Sequence, residues 1–315
     1  MTDKLAYNHS KIINILDFQI RLYSNSEKIL DIITEQEAHT NNSERKNYRD
    51  SFDIFIMIND HGSYNITSEK PMKCSFDNAS DQLTIKYLNG AVTVDVMYKK
   101  KTIVAVVSQS AFEQKSAFEN WLVTIPVSEL LKQYQLYFIH SACLQKQDGA
   151  VLFAGKSGQG KTTITLGLLQ SGWNVLSDDE IFLYYQNGLY GHGGQHKAKI
   201  SYNSWKIFEN KLGNIQKFKG KRNIELNDLY PNKIVQNSRI NAICFIHPER
   251  ENIISKMKQS DVFQELLSIA YLNSHPEYSR ENLDFLYRIS REIPGYKLGF
   301  NTNFSELNSL LIEKV

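Results

Sequence analysis

Between residues 16 and 22 the chain alternates strictly, with Leu16, Phe18, Ile20 and Leu22 apolar and Asp17, Gln19 and Arg21 polar. A period of two predicts a half-buried strand. Leu30 and Ile33 fall at helical spacing and predict a short helix over 24–34, whereas 41–47 is polar throughout and reads as a loop. The compact apolar run 52–58 has strand length. Alternating runs at 83–87 and 92–96 flank Asn89-Gly90, a strong hairpin signal, and another strand is expected at 103–107. Residues 1–112 therefore read as a strand-rich α+β unit, mostly antiparallel. An exposed edge around 92–107 is expected, to which an extended peptide could add as a strand.

From 113 onward the pattern changes. Pro126 opens a short helix, 136–139 reads as a strand ending at His140, and 150–154 as a second strand. A helix over 162–170 stops at Ser171-Gly172, and the strand 173–177 leads directly into Asp178-Asp179. A strand at 240–246 and helices at 262–271, 283–291 and 305–313 follow. Strands alternating with helices predict an α/β domain over 113–315, built on a largely parallel sheet.

Composition narrows the class. Across 315 residues, 42% hydrophobic and 22% charged side chains exclude wholesale disorder, and 36 basic against 34 acidic residues leave a net charge of +2. So balanced a chain has no overall field for nucleic acid or an anionic membrane, and neither is expected as a partner. Three widely spaced cysteines, Cys74, Cys143 and Cys244, give neither a disulfide framework nor a zinc ribbon. With no apolar run of spanning length and no signal-like start, a cytoplasmic protein is expected.

The chemistry concentrates in Gly155-Lys156-Ser157-Gly158-Gln159-Gly160-Lys161-Thr162, which fits GxxxxGK[ST] at every fixed position. Gly155, Gly158 and Gly160 let the backbone of Ser157, Gln159 and their neighbours wrap a phosphate. Lys161 reaches the β and γ phosphates, Thr162 is placed to ligate Mg²⁺, and Thr163 continues the cradle into the helix. The predicted strand before and helix after are the context this loop needs, and they make ATP with Mg²⁺ the expected cofactors. Asp178 and Asp179 end the next strand, where a right-handed crossover brings carboxylates beside the phosphate loop. There they can hold Mg²⁺ or accept a proton from an attacking hydroxyl. His140 is expected at the same edge, near Asp178, orienting the acid or tuning its pKa.

His140-Ser141-Ala142, then Gly155 to Thr162, then Asp178-Asp179, in this order and spacing, resemble the HPr kinase/phosphorylase-like group, which shares a compact P-loop core with the phosphoenolpyruvate carboxykinases. The resemblance covers about 136–185, with weaker support from 240–246 and from Pro294-Gly295-Tyr296-Lys297-Leu298. It implies a P-loop kinase core that transfers phosphate from ATP to a serine hydroxyl of a protein or peptide. Asp178 would be the base with His140 near it, Lys161 would act on the phosphates, and Thr162 and Asp179 would hold the metal. The chain departs from that group after its acidic pair. In place of a Glu-Ile-Arg-Gly segment it carries Tyr190-Gly191-His192-Gly193-Gly194-Gln195-His196-Lys197. That composition fits a mobile substrate-side loop rather than phosphorolysis. The layout is similar to kinase homologues of peptide-modification clusters, of which lasso-peptide precursor kinases are the known example.

Two other classes compete: a nucleotide-hydrolysing switch or ATPase, which would carry further sensor motifs such as NKxD or LSGGQ, absent here, and a small-molecule kinase. The basic run Lys219-Gly220-Lys221-Arg222 reads either as a solvated face or as a holder of phosphate or an acidic peptide end. Homo-oligomerisation is compatible with everything above.

Overall fold

The alternation around Leu16 continues straight through a turn. In the computed structural model, which describes residues 7–37, 48–59, 72–113, 118, 120–193, 197–214, 216–249, 251–270 and 275–315, Leu16 has a left-handed φ of 56°. Leu16 and Asp17 join β1 (His9–Ile15) to β2 (Phe18–Ser24), which buries every second side chain. The helix expected over 24–34 is α1 (Glu27–Glu37), starting later because Ser24 ends β2 and its hydroxyl accepts the Ser26 N–H at 3.1 Å. The expected loop at 41–47 lies outside the described residues.

β3 (Asp50–Asn59), β4 (Lys73–Asp77), β5 (Gln82–Tyr87), β6 (Val92–Met97) and β7 (Thr102–Ser108) complete a seven-stranded sheet of order β1-β2-β3-β7-β6-β5-β4. β2–β3 and β3–β7 pair parallel, and the other pairs are antiparallel. β6 and β7 each have a neighbour on both sides, so the edge expected around 92–107 does not exist; the edges are β1 and β4. Pairing across the sheet, invisible in a local pattern, made these strands interior.

The short helices α2 (Gln109–Glu113) and α3 (Ile125–Leu131) follow. The described residues of Met1–Gln135 and Asn273–Arg280 form one compact unit, and those of Leu136–Leu272 and Glu281–Val315 another. Residues 113–135, grouped by sequence with the second part, count with the first. Trp121 stacks on Tyr87 at 5.1 Å, and the Tyr98 hydroxyl donates to Glu129 Oε2 at 3.1 Å.

The second unit contains, in order, β8 (Tyr137–Ile139), β9 (Ser141–Lys146), β10 (Gly149–Ala154), α4 (Lys161–Gln170), β11 (Asn174–Ser177), β12 (Ile181–Tyr185), β13 (Leu189–Gly193), β14 (Lys197–Ser201), α5 (Tyr202–Ile207), α6 (Glu209–Leu212), β15 (Lys221–Glu225), α7 (Leu226–Leu229), β16 (Asn237–Pro248), β17 (Ile253–Lys256), α8 (Gln259–Ile269), α9 (Pro276–Glu292, from Glu281 onward), β18 (Gly295–Phe300) and α10 (Phe304–Lys314). Its main sheet runs β11-β9-β10-β16-β13-β12-β8, with β18 beside β16 and β17 beside β18. This is a mixed α/β architecture. Among the described residues of this sheet only β10–β16 and β16–β18 pair parallel, so the largely parallel sheet expected from sequence is replaced by a mixed one.

β10 carries the continuous apolar run of a strand covered on both faces. Leu152 and Ala154 pack with Val262, Leu266 and Leu286 of α8 and α9, while Val151 and Phe153 pack with Ile164 and Leu168 of α4 and Leu307 of α10. β10 is thereby fixed in the middle of a helix–sheet–helix sandwich, with the glycine-rich loop leaving its C-terminal end.

Candidate active site

Because β10 ends at Ala154 and α4 begins at Lys161, the six residues between must turn the chain back sharply. Gly158 and Gly160 do so with φ of +89° and +103°, where an L side chain is strained. At Gly160 a Cβ would also lie 2.5 Å from Phe300 Cζ. The Gln159 side-chain oxygen accepts the Lys156 N–H, and the Gln159 N–H donates to the Lys156 carbonyl at 3.1 Å, tying the loop at its base. Ser157 lies exposed at the tip.

Lys161 is buried, at 6% exposure, and its ammonium donates to the Gly155 carbonyl at 2.7 Å and to His140 Nε2 at 2.9 Å. Burial lowers its pKa, as does the Lys221 charge, against the pull of Asp179 and Asp178. His140 is likewise held below its usual range, by burial first and by the Lys161 and Lys221 charges, while Asp179 opposes. A neutral imidazole offers Nε2 as acceptor, which matches the Lys161 contact.

The two aspartates part company. The Thr162 hydroxyl donates to Asp178 Oδ2 at 2.7 Å, whereas Asp179 Oδ1 lies 3.4 Å from His140 Nε2 and 3.9 Å from Lys161 Nζ. His140 thus meets Asp179 rather than the Asp178 expected from sequence. It also does not end a strand adjacent to β10: β12, β13 and β16 separate β8 from β10 in the sheet, and His140 sits in the link from β8 to β9. Asp178 is 2% exposed and Asp179 45%. Burial pushes the Asp178 carboxyl up to about 6, the Thr165 and Thr162 hydroxyls pulling the other way and Asp179 adding to the rise. Asp178 Oδ1 is buried with no hydrogen-bond partner.

An orphaned carboxylate oxygen next to a threonine hydroxyl is the hard-oxygen donor set Mg²⁺ takes, and the loop ahead of α4 turns through Gly158 and Gly160 at positive φ, leading into a helix N-terminus, so the residues present fit MgATP. Among the described residues no three His, Cys, Asp or Glu side chains gather into a metal cage of their own. Mg²⁺ sites that share ligands with nucleotide phosphates need none.

Sequence reasoning missed what lies across from the loop. The Lys199 carbonyl of β14 faces the Thr162 hydroxyl at 3.5 Å, and Thr163 Oγ1 lies 2.9 Å from Ser204 Oγ on α5. Their contribution depends on the β14–β15 pairing, which no local pattern encodes. The stretch expected as a mobile loop around 190–197 is strand β13 up to Gly193, paired with β12 and β16, because its alternate residues pack inward; Gly194, Gln195 and His196 lie outside the described residues. His192 Nδ1 is 2.8 Å from the Gly193 carbonyl. Cys143 and Cys244 are buried free thiols, and Cys74 is an exposed one. No helix among the described residues is long and apolar enough to cross a membrane.

No family model matches the chain, and no curated protein matches it. Among solved structures, the Hpr(Ser) kinase/phosphatase from Coxiella burnetii is similar at 15% sequence identity and a TM-score of 0.33, covering 56% of this chain and 98% of that one. At that score the likeness decides nothing, and the chemistry rests on this chain's own residues.

Proposed function

We propose that this protein is an ATP-dependent kinase that phosphorylates a serine or threonine hydroxyl of a peptide or protein, of the kind represented by a ribosomal peptide precursor. The observation that carries the reading is the convergence of Lys161, His140 and Asp179 within 3.9 Å, beside the Thr162–Asp178 contact, at the end of a left-handed glycine loop. Phosphoryl transfer is mostly positioning and charge neutralisation, and these are its parts.

In this reading the backbone from Gly155 through Thr163 and the Lys161 ammonium bind the phosphates. Asp178 takes the proton from the acceptor hydroxyl, and a carboxyl near 6 is well matched to that task at neutral pH. His140 positions Lys161 and Asp179. Thr162 and Asp179 would hold Mg²⁺, whose chemistry is to neutralise phosphate charge as the γ-phosphoryl leaves. The burial contrast favours a second assignment, in which Thr162 and the buried Asp178 hold the ion and the half-exposed Asp179 meets the acceptor. Mg²⁺ titrations of Asp178→Asn and Asp179→Asn separate the two: the variant whose Mg²⁺ requirement rises has lost the ligand.

The test of the proposal is incubation with γ-labelled ATP and a library of Ser/Thr peptides. Label on a peptide hydroxyl supports it, while phosphate release with no labelled peptide would return the protein to the ATPase-switch class. Phosphorolysis is not part of this activity, so product phosphopeptide with Mg²⁺ and millimolar phosphate should release no pyrophosphate at a rate comparable with the forward reaction.

A further inference from the structure

The aspartates, His140 and the glycine loop share one edge of the main sheet of the second unit. β10, β16 and β18 run parallel, and β9 runs antiparallel to both β10 and β11. The ends of β11, β10, β16 and β18 and the start of β9 therefore lie along a single edge. In the order β11-β9-β10-β16, with β18 beside β16, Asp178 and Asp179 follow β11, His140 precedes β9, the loop leaves β10, and Phe300 ends β18. Lys161, His140 and Asp179 thus mark the β9–β11 side of the loop as the end where phosphate is transferred. A triphosphate whose γ-group lies there leads its nucleoside away, across the loop toward β16 and β18.

An aromatic ring stands on that side. Tyr296, Leu298 and Phe300 alternate onto the sheet face that carries α4 and α10. Leu298 is buried, whereas Phe300, at the end of the strand, is half-buried. Its ring tip abuts the loop, since a Cβ on Gly160 would lie 2.5 Å from Cζ and 3.0 Å from Cε1. Side chains brace the turn that follows. Asn252, 8% exposed, accepts the Asn301 N–H at 2.9 Å and donates to the Asn303 carbonyl at 2.9 Å and to Glu306 Oε2 at 2.8 Å. The Asn303 N–H donates to Asn301 Oδ1 at 2.7 Å. A ring on so fixed a backbone loses little entropy when a ligand stacks on it.

The other aromatic group near α4 is less suited. Tyr202 and Trp205 of α5 both meet the Phe218 ring nearly at right angles, Arg222 lies over that ring at 4.6 Å, and the Trp205 Nε1–H donates to the Gly213 carbonyl at 2.8 Å. These side chains cover one another, and Trp205 packs against the cluster containing Val175 of β11, on the transfer side of the loop.

We propose that Phe300 is the platform on which the base of the bound nucleoside triphosphate stacks. The proposal rests on the nucleotide reading of the loop and adds to it a nucleoside site outside the GxxxxGK[ST] motif. Every base has a π face, so the ring selects an aromatic base carried on the triphosphate, and phosphate alone gains nothing from it.

The test is calorimetry of wild type, Phe300→Leu, Phe300→Tyr and Trp205→Leu with MgATP and with magnesium tripolyphosphate. Phe300→Leu keeps apolar bulk beside Gly160 but has no π face. It is expected to bind tripolyphosphate as wild type does and MgATP about 10-fold more weakly. Phe300→Tyr keeps the ring and should bind MgATP nearly as wild type does, and Trp205→Leu should change neither affinity. Equal losses for both ligands in Phe300→Leu would show that the ring only shapes the loop. No loss for either, or a selective loss of MgATP binding in Trp205→Leu instead, would place the base elsewhere; each of these results overturns the proposal. Failure of wild type to bind MgATP would instead bring down the nucleotide reading beneath it.

Discussion

Replacing Asp178 by asparagine should stabilise the protein while destroying its chemistry. Asp178 is 2% exposed, and its carboxyl is raised from 3.8 to about 6, chiefly by burial. Because the folded pKa lies above the unfolded one, the native state holds this proton where the unfolded chain releases it. The favourable contribution is complete below about 3.8, falls as pH rises through the window, and above 6 the full cost of a buried carboxylate is present. A shift of about two units corresponds to about 3 kcal/mol. An amide of the same shape keeps the acceptor for Thr162 and carries no charge, although its NH₂ group lacks a partner at a cost of about 1 kcal/mol. Urea unfolding of both proteins in EDTA, from pH 4 to pH 7.5, is the assay. With that amide cost included, asparagine should be slightly worse than aspartate at pH 4 and ahead of it by about 2 kcal/mol at pH 7. His140 titrates in both proteins, so the comparison removes most of its contribution. A difference independent of pH would refute the buried-carboxylate account, and equal phosphoryl transfer by both would remove Asp178 from the mechanism.

Gly160→Ala should cost about 1–3 kcal/mol and abolish MgATP binding, because φ is +103° and the new methyl would meet the Phe300 ring; a thermal melt and a nucleotide titration check both halves. In the first unit, Lys132→Met should cost about 3–5 kcal/mol, since Lys132 and Glu129 pair at 2.8 Å with 2% and 1% exposure and the change strands a buried carboxylate. A loss under 1 kcal/mol in chemical denaturation would show that Glu129 stays protonated and needs no partner.

What was legible in the sequence was local. The alternation in β2, the turn at Asn89, where the backbone is left-handed with φ of 57°, and the glycine-rich loop with its strand and helix follow from neighbours in the chain. Pairing partners did not. Ser141-Ala142-Cys143-Leu144 is buried on both faces between β10 and β11, so it carries no alternation that marks it as a strand, and the place of His140 ahead of it has no local signal. The same blindness to register turned the interior strands β6 and β7 into a supposed edge.

In the proposed function the loop from Gly155 to Thr162, with Lys161 at its heart, binds nucleotide phosphate for transfer. Calorimetric titration of MgATP into wild type and Lys161→Ala tests it most directly. Lys161 donates to Gly155 and His140 in a site its charge helps to fill, and its removal should leave the melting temperature close to wild type. Wild type should bind with a stoichiometry near one, and the variant at least tenfold more weakly, with turnover gone. Equal affinity in the two proteins, or no binding by a folded wild type, would contradict the account.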